Sequence, residues 1–251
     1  MKIMIFDTET TSLEKPFCYN IGYVIADTET EEILVKRDFV VEQVWHNPML
    51  FTTAYYADKR EIYVASMRKR TTKMDKFGYI CQQMIRDIKN YEVVCAYAYN
   101  SPFDEKVFNF NCDWFKCNNP FDNIPIIDIR GYAHNFICNT TEFKNFCETY
   151  ERFTDSGNYS TTAETVYQYI TEDYNFIEEH TALADSEIES EILFCAIWQG
   201  AEFNTEYPVM RSVKREVVKE FKVKMNNEIV YNIQCNSIKY MKSKNTIILK
   251  G

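Results

Sequence analysis

The sequence predicts an α/β domain followed by a small β-rich C-terminal appendage. Three observations carry that expectation. Residues 2–7, 18–26 and 33–41 are strand-like segments at short spacing, the pattern of an antiparallel three-strand meander. Up to about residue 200, helical stripes then alternate with short apolar strands. From residue 211 the chain turns to alternating, lysine-rich segments.

The elements follow in order. Ile3-Met4-Ile5-Phe6 is a short buried strand that runs into Asp7, and an acidic turn at 27–32 joins the second strand to the third. Residues 48–90 read as helical, most clearly where Phe77, Ile80, Cys81, Met84, Ile85 and Ile88 form an i, i+3, i+4 stripe. Residues 92–97 form another apolar strand. It leads into a helix with Ser101 as N-cap, Pro102 at N1 and Asp104 at N3. A short strand at 124–127 ends at Asp128. Residues 128–199 are mainly helical, broken at Asp155-Ser156-Gly157-Asn158 and restarted after Thr161-Thr162. In the appendage, 221–225, 228–234 and 238–249 are strand-like, with Asn226-Asn227 as a turn. The expected division is a domain over 1–200 and an appendage over 211–251.

At 251 residues, 46% hydrophobic and 16% aromatic, the chain suits one large packed domain with an appendage and excludes a disordered one. No stretch approaches the roughly 20 apolar residues that span a bilayer. The first apolar run is too short for a signal-peptide core, so a soluble, cytoplasmic protein is expected. The net charge of −9 is unevenly divided. Residues 211–251 hold ten Lys/Arg against three Glu, whereas residues 1–210 hold eighteen against thirty-four acids. That division suggests an anionic partner met through local basic patches, although a solvated surface explains the tail equally well. A second basic cluster runs from Lys59 and Arg60 through Arg68, Lys69, Arg70 and Lys73 to Lys76. The nine cysteines include no CxxC pair. Only Cys112 and Cys117 are close, and His46, His134 and His180 complete no zinc-like set, so reduced thiols are expected.

Chemistry concentrates in a few acids and one histidine. Asp7 and Glu9 lie two apart at a strand end, so the strand's period of two sends both carboxylates to one face, where clustered oxygens suit Mg²⁺ or Mn²⁺. A solvated strand end explains the pair as well. Asp104 in the first turn of a helix is explained either by the helix dipole or by a second cation. Asp185 precedes Ile188, Ile192 and Cys195 by three, seven and ten residues, which puts a carboxylate on the packing face, while Glu187, Glu189 and Glu191 take the polar side or its edge. A buried acid is costly unless paired or bound to a metal; a first-turn dipole role is the alternative. His180 precedes that helix on the entering loop, where it reads as a general base or as plain surface polarity.

Together these segments resemble the DEDDh (DnaQ-like) family of ribonuclease-H-like 3′–5′ exonucleases. Its motifs match Asp7-Thr8-Glu9-Thr10-Thr11-Ser12-Leu13, Asn100-Ser101-Pro102-Phe103-Asp104 and His180-Thr181-Ala182-Leu183-Ala184-Asp185. Ile21-Gly22-Tyr23-Val24 is similar to the family's second strand and Ile126-Ile127-Asp128 to its fifth. The similarity covers about residues 1–200 and departs at Ser12, where the family often has glycine. The resemblance implies a mixed five-stranded sheet flanked by helices, with the first three strands antiparallel. It implies two Mg²⁺ or Mn²⁺ ions held by Asp7, Glu9, Asp104 and Asp185, with His180 deprotonating the attacking water and nucleoside 5′-monophosphates released. Thr10, Leu13, Asn100 and Phe103 match positions that line the terminal-nucleotide pocket. The expected substrate is a DNA or RNA 3′ end, with single-stranded or frayed DNA somewhat favoured. The alternatives are an exoribonuclease, an enzyme of short oligonucleotides, or a non-catalytic nucleic-acid-binding module. The helices and the appendage are surfaces for a protein partner or a second copy of the chain.

Overall fold

Alternation along the first strand divides the molecule into two packed layers. In the computed structural model, β1 (Lys2–Thr10) sends Met4 and Phe6 into one core and Ile3 and Ile5 into the other, all four fully buried. The structure describes residues 1–215 apart from 53, 55 and 56. Beyond them it describes only the backbone of 219–225, 228–235, 239–243 and 246–250.

β2 (Cys18–Asp27) and β3 (Ile33–Val41) continue the sheet antiparallel from β1, as the meander pattern predicts. β4 (Lys73–Asp75), β5 (Val93–Ala98) and β6 (Ile126–Asp128) complete a mixed six-stranded sheet in the order β4-β3-β2-β1-β5-β6. β5 and β6 run parallel to β1, and β4 runs parallel to β3 at the far edge. The expectation of five strands therefore falls one short. β4 is three residues long and carries Lys73 and Asp75, so neither length nor apolarity marks it in the sequence.

The stretch 48–90 is accordingly not continuously helical. After α1 (Glu42–Trp45), it holds α2 (Pro48–Phe51), α3 (Arg60–Lys69), then β4 and α4 (Phe77–Asn90). α4 and α5 (Ser101–Phe115) cover the Met4/Phe6 face through Phe77, Ile80, Met84, Val107 and Phe108. The opposite face is covered by α6 (Ile129–Tyr132), a π-helical turn at Ala133–Cys138, α7 (Thr141–Thr149), α8 (Ala163–Thr171) and α9 (Ala182–Trp198). The predicted restart holds: Thr162 caps α8, its hydroxyl accepting from Thr165 N at 3.2 Å. His134 is a satisfied core residue, its two ring nitrogens engaged by the Thr161 hydroxyl at 3.0 Å and Met210 N at 3.1 Å.

Residues 201–215 run back along this second layer. Tyr159 N donates to Val213 O at 3.1 Å, and the Arg215 guanidinium forks onto Glu148 at 2.6 and 2.7 Å. Beyond them lie two antiparallel hairpins, β7 (Lys219–Met225) with β8 (Glu228–Cys235), and β9 (Lys239–Ser243) with β10 (Thr246–Lys250). The single strand-like run at 238–249 is thus two paired strands. The Asn226-Asn227 turn and the side chains of the basic tail beyond Arg215 lie outside the described residues. Among the described residues, no helix is long and apolar enough to cross a membrane.

Candidate active site

The division of faces along β1 continues past the core and distributes the acids. Asp7 and Glu9, odd-numbered like Ile3 and Ile5, point to the α9 side; Thr8 points to the α5 side. Accordingly, carboxylate oxygens of Asp7, Glu9 and Asp185 all lie within 4.8 Å of one another. Asp104, at the start of α5, instead receives a hydrogen bond from the Thr8 hydroxyl at 2.6 Å. The four acids thus meet at the C-terminal end of β1 from two sides of the sheet. Asp104 stands next to the three-carboxylate cluster rather than inside it.

The N-terminus of α9 is seated directly on β2. Gly22 makes that possible: a Cβ built there would fall 2.0 Å from Leu183 N and 2.1 Å from the Ala182 carbonyl carbon. Ser186 Oγ, one turn into the helix, donates to Gly22 O at 3.0 Å. Asn20 anchors the helix start, its Oδ1 accepting from Ala182 N at 2.8 Å and from the Tyr63 hydroxyl at 3.1 Å. Its Nδ2 donates to Asp38 Oδ1 at 2.7 Å and to Phe39 O at 2.9 Å. In the β1–β2 register Gly22 faces Asp7 and Asn20 faces Glu9, so the docking residues carry Asp185 to the two strand acids.

A comparable device sets the second motif. Asn100 adopts a left-handed conformation (φ 70°) and is itself the N-cap position, so Ser101, Pro102 and Asp104 occupy N1, N2 and N4 rather than the N-cap, N1 and N3 expected. Asp128 Oδ1 holds this turn by accepting from Asn100 N at 2.9 Å and Arg130 N at 2.8 Å. The Arg130 guanidinium reaches Asn100 Oδ1 at 3.2 Å. Of the expected pocket residues, Asn100 and Leu13 are exposed, Thr10 and Phe103 half-buried. The Lys106 ammonium, donating to Leu13 O at 2.7 Å, ties the end of the β1 loop to α5.

Electrostatically the acids are out of balance as they stand. Burial first, and then the Glu178 charge, pushes Asp7 up to about 7; burial and Asp7 push Glu9 up to about 9. Burial, Asp7, Glu178 and Glu9 raise Asp185 to about 10, and burial with Asp7 raises Asp104 well above the usual carboxylate range. Asp185 Oδ1 is buried with no hydrogen-bond partner. A hard divalent cation satisfies every part of this description, because it supplies positive charge to oxygen donors and a partner to the orphaned atom. The donor set fits such an ion.

His180 sits on the loop before α9, as expected, in a left-handed conformation (φ 53°). Its Nδ1 lies 3.5 Å from Glu178 Oε2, and Glu178, His180 and Asp185 form a second close group of potential ligands. Burial, and then Lys59, lowers the imidazole's affinity for a proton. The Lys59 ammonium donates to Glu179 O, linking the segment before α3 to the His180 loop, and it draws down both Glu9 and Asp185.

No protein-family model matches the sequence, and no curated protein does. Solved structures do. The nuclease domain of 3′hExo, a DEDDh family member, bound to rAMP shares 16% identity over 84% of this chain and 96% of its own, with a TM-score of 0.52. This is the fold of the DEDDh 3′ exonucleases. The 3′-exonuclease in a structure of 3′-end-specific recognition of a histone mRNA stem-loop gives 14% identity and a TM-score of 0.53, over 93% and 90% of the two chains. Apo exonuclease I gives 14% and 0.50, and there this chain covers only 41% of the other.

On this fold, several residues at the site escape a reading of the sequence. Glu189 belongs to no polar edge: it is buried at 3% exposure, and its Oε2 accepts from Tyr99 N at 3.1 Å. Glu189 follows Asp185 by one helical turn, so it shares that face of α9 and lies beside Asp7, Asp104 and Asp185 rather than at a polar edge. Thr8 and Lys59 were likewise hidden, since each meets a partner distant in sequence, whereas Glu178 lies two residues from His180. Asn20, a lone amide in an otherwise apolar strand, did carry a signal.

Proposed function

We propose that the chain is a divalent-cation-dependent 3′–5′ exonuclease acting on single-stranded nucleic-acid ends and releasing nucleoside 5′-monophosphates. One observation carries the reading. Asp7, Glu9 and Asp185 converge within 4.8 Å, with Asp104 beside them and a buried, partnerless Asp185 oxygen among them. Repulsion on that scale has no structural use, and it serves a cation site well.

Asp7, Glu9, Asp104 and Asp185 would hold two Mg²⁺ or Mn²⁺ ions. When bound, these supply Lewis acidity and charge neutralisation for phosphodiester hydrolysis. The chain's own residues do the rest. His180, kept neutral by burial, accepts a proton from the attacking water at Nε2 while Glu178 faces Nδ1 and fixes the ring. Asn100, held by Asp128 and Arg130, and the side chains of Thr10, Leu13 and Phe103 flank the terminal nucleotide. Lys59 and Lys106 offset the negative charge that the acids present to a phosphate. The basic tail extends the grip on a longer strand.

Both DNA and RNA offer the scissile bond, and one of the similar solved structures is of a 3′-exonuclease recognising a histone mRNA stem-loop. Digestion of 5′-labelled single-stranded DNA, duplex DNA and RNA tests the reading. Stepwise shortening from the 3′ end with Mg²⁺, and none with EDTA, is expected, with single-stranded DNA degraded fastest. Internal cleavage, or no cleavage with either cation, refutes it.

A further inference from the structure

A second cluster of metal-ligating side chains stands apart from the acids. Cys81, Cys112 and Cys117 bring three sulfurs within 4.8 Å of one another. Cys81 lies in the second turn of α4, Cys112 in the last turn of α5, and Cys117 just past that helix's end. All three thiols are free, and Cys81 hydrogen-bonds to both of the others.

The backbone builds this group. Lys116 takes a left-handed conformation (φ 55°), and Cys117 N donates to Cys112 O at 3.1 Å, the six-to-one closure of a Schellman turn. That closure sets side chains five apart in sequence next to each other, a spacing unlike the CxxC pairs by which zinc ligands are recognised. The third thiol comes from another helix. Gly78, one turn before Cys81, packs beside Cys117: a Cβ there would meet Cys117 Cβ at 3.4 Å. Cys81 and Cys112 are buried beside the Phe77–Phe115 ring pair, and Cys117 is half-exposed, so the group has a dry interior and an open side.

We propose that Cys81, Cys112 and Cys117 bind a zinc ion that ties the start of α4 to the end of α5, with water as fourth ligand on the open side. Thiolates select thiophilic cations over Mg²⁺. Tetrahedral zinc with bonds of about 2.3 Å holds its sulfurs about 3.8 Å apart, which small rotations about Cα–Cβ reach from the present spacing. A divalent ion leaves three thiolates with one net negative charge, whereas a monovalent one leaves two, the costlier state beside aromatic rings. The free thiols match the expectation of reduced cysteines, and the proposed site adds a role to three of them. It is independent of the nuclease reading, because Cys112 and Asp104 are eight residues and about 12 Å apart along α5.

Cobalt substitution of the full-length protein under reducing, anaerobic conditions tests the proposal. Co²⁺ also enters carboxylate sites, but only thiolate ligation produces an intense near-ultraviolet charge-transfer band. That band is expected to saturate at a single equivalent, to be displaced by Zn²⁺, and to persist in Asp7→Ala. In Cys117→Ser it should be lost, while circular dichroism stays unchanged, because the substituted side chain is half-exposed. Zn²⁺ should raise the melting temperature of the wild type by more than that of Cys117→Ser, whose carboxylate site still binds the ion. Absence of the band in excess Co²⁺, or its survival at full intensity in Cys117→Ser, overturns the assignment.

Discussion

Replacing Gly22 by alanine adds one methyl group, and its consequence can be worked from the packing. The new Cβ would lie 2.0–2.4 Å from backbone atoms of Ala182 and Leu183, against an ordinary contact of about 3.4 Å or more. Backbone cannot rotate away as a side chain can, so the start of α9 must retreat by at least about an ångström. Overpacking of this kind costs about 1–3 kcal/mol, or more where backbone must yield. For a chain of this size that lowers the melting temperature by roughly 2–12 °C. The same retreat draws Asp185 from Asp7 and Glu9, and a displacement of about 1 Å costs about 10²-fold in turnover. Initial rates on a 5′-labelled oligonucleotide at saturating Mg²⁺, measured well below the melting transition, separate misplacement from unfolding. Turnover within about twofold of wild type in a folded Gly22→Ala protein would refute the claim that this contact sets the site.

Four further outcomes follow from the same geometry. Asn20→Ala removes the acceptor of Ala182 N and the Tyr63 hydroxyl, so stability should fall by about 1–3 kcal/mol in denaturant titration, with turnover falling too. Asp185→Asn should abolish turnover yet raise the melting temperature in EDTA, because burial first, and then the neighbouring acids, hold Asp185 at about 10 and an amide avoids the cost of retaining that proton; a lower melting temperature would argue against that cost. Acids whose folded pKa is raised above the unfolded value cost stability as pH climbs from the unfolded pKa through the folded one. Asp7 at about 7, Glu9 at about 9 and Asp185 at about 10 place that window between about pH 4 and 10. The cation-free protein should lose stability across it, and the increase in melting temperature on adding Mg²⁺ should grow with pH. His180→Ala should lower turnover about 10²–10⁴-fold with little effect on binding, and raised pH should partly restore it.

What the sequence disclosed depended on how local each signal was. The shared face of Asp7 and Glu9 follows from a period of two, and the buried position of Asp185 from its spacing to Ile188 and Ile192; both needed only neighbours. The meander was equally legible, because its strands are apolar and its turns short. β4 was not, being three residues long and polar, held by pairing to β3 rather than by composition. Glu189 was misplaced because it sits at the edge of the apolar stripe, one turn after Asp185, where its burial is decided by Tyr99 N at the end of β5. The cysteine group escaped for a similar reason: a turn closes Cys112 onto Cys117, but Cys81 arrives from another helix.

The odd–even division of β1 has a consequence for how this protein can change. The strand works as a reading frame of two, with contents assigned to compartments by parity. Substituting one residue edits one compartment, but deleting one residue before Asp7 exchanges them all, turning Asp7 and Glu9 towards α5 and Thr8 towards α9. Composition and length would be almost unchanged, yet no three carboxylates would meet. Length changes in this strand should therefore be tolerated only in pairs, whereas the turn at 28–32 lies between strands and is not bound by that parity.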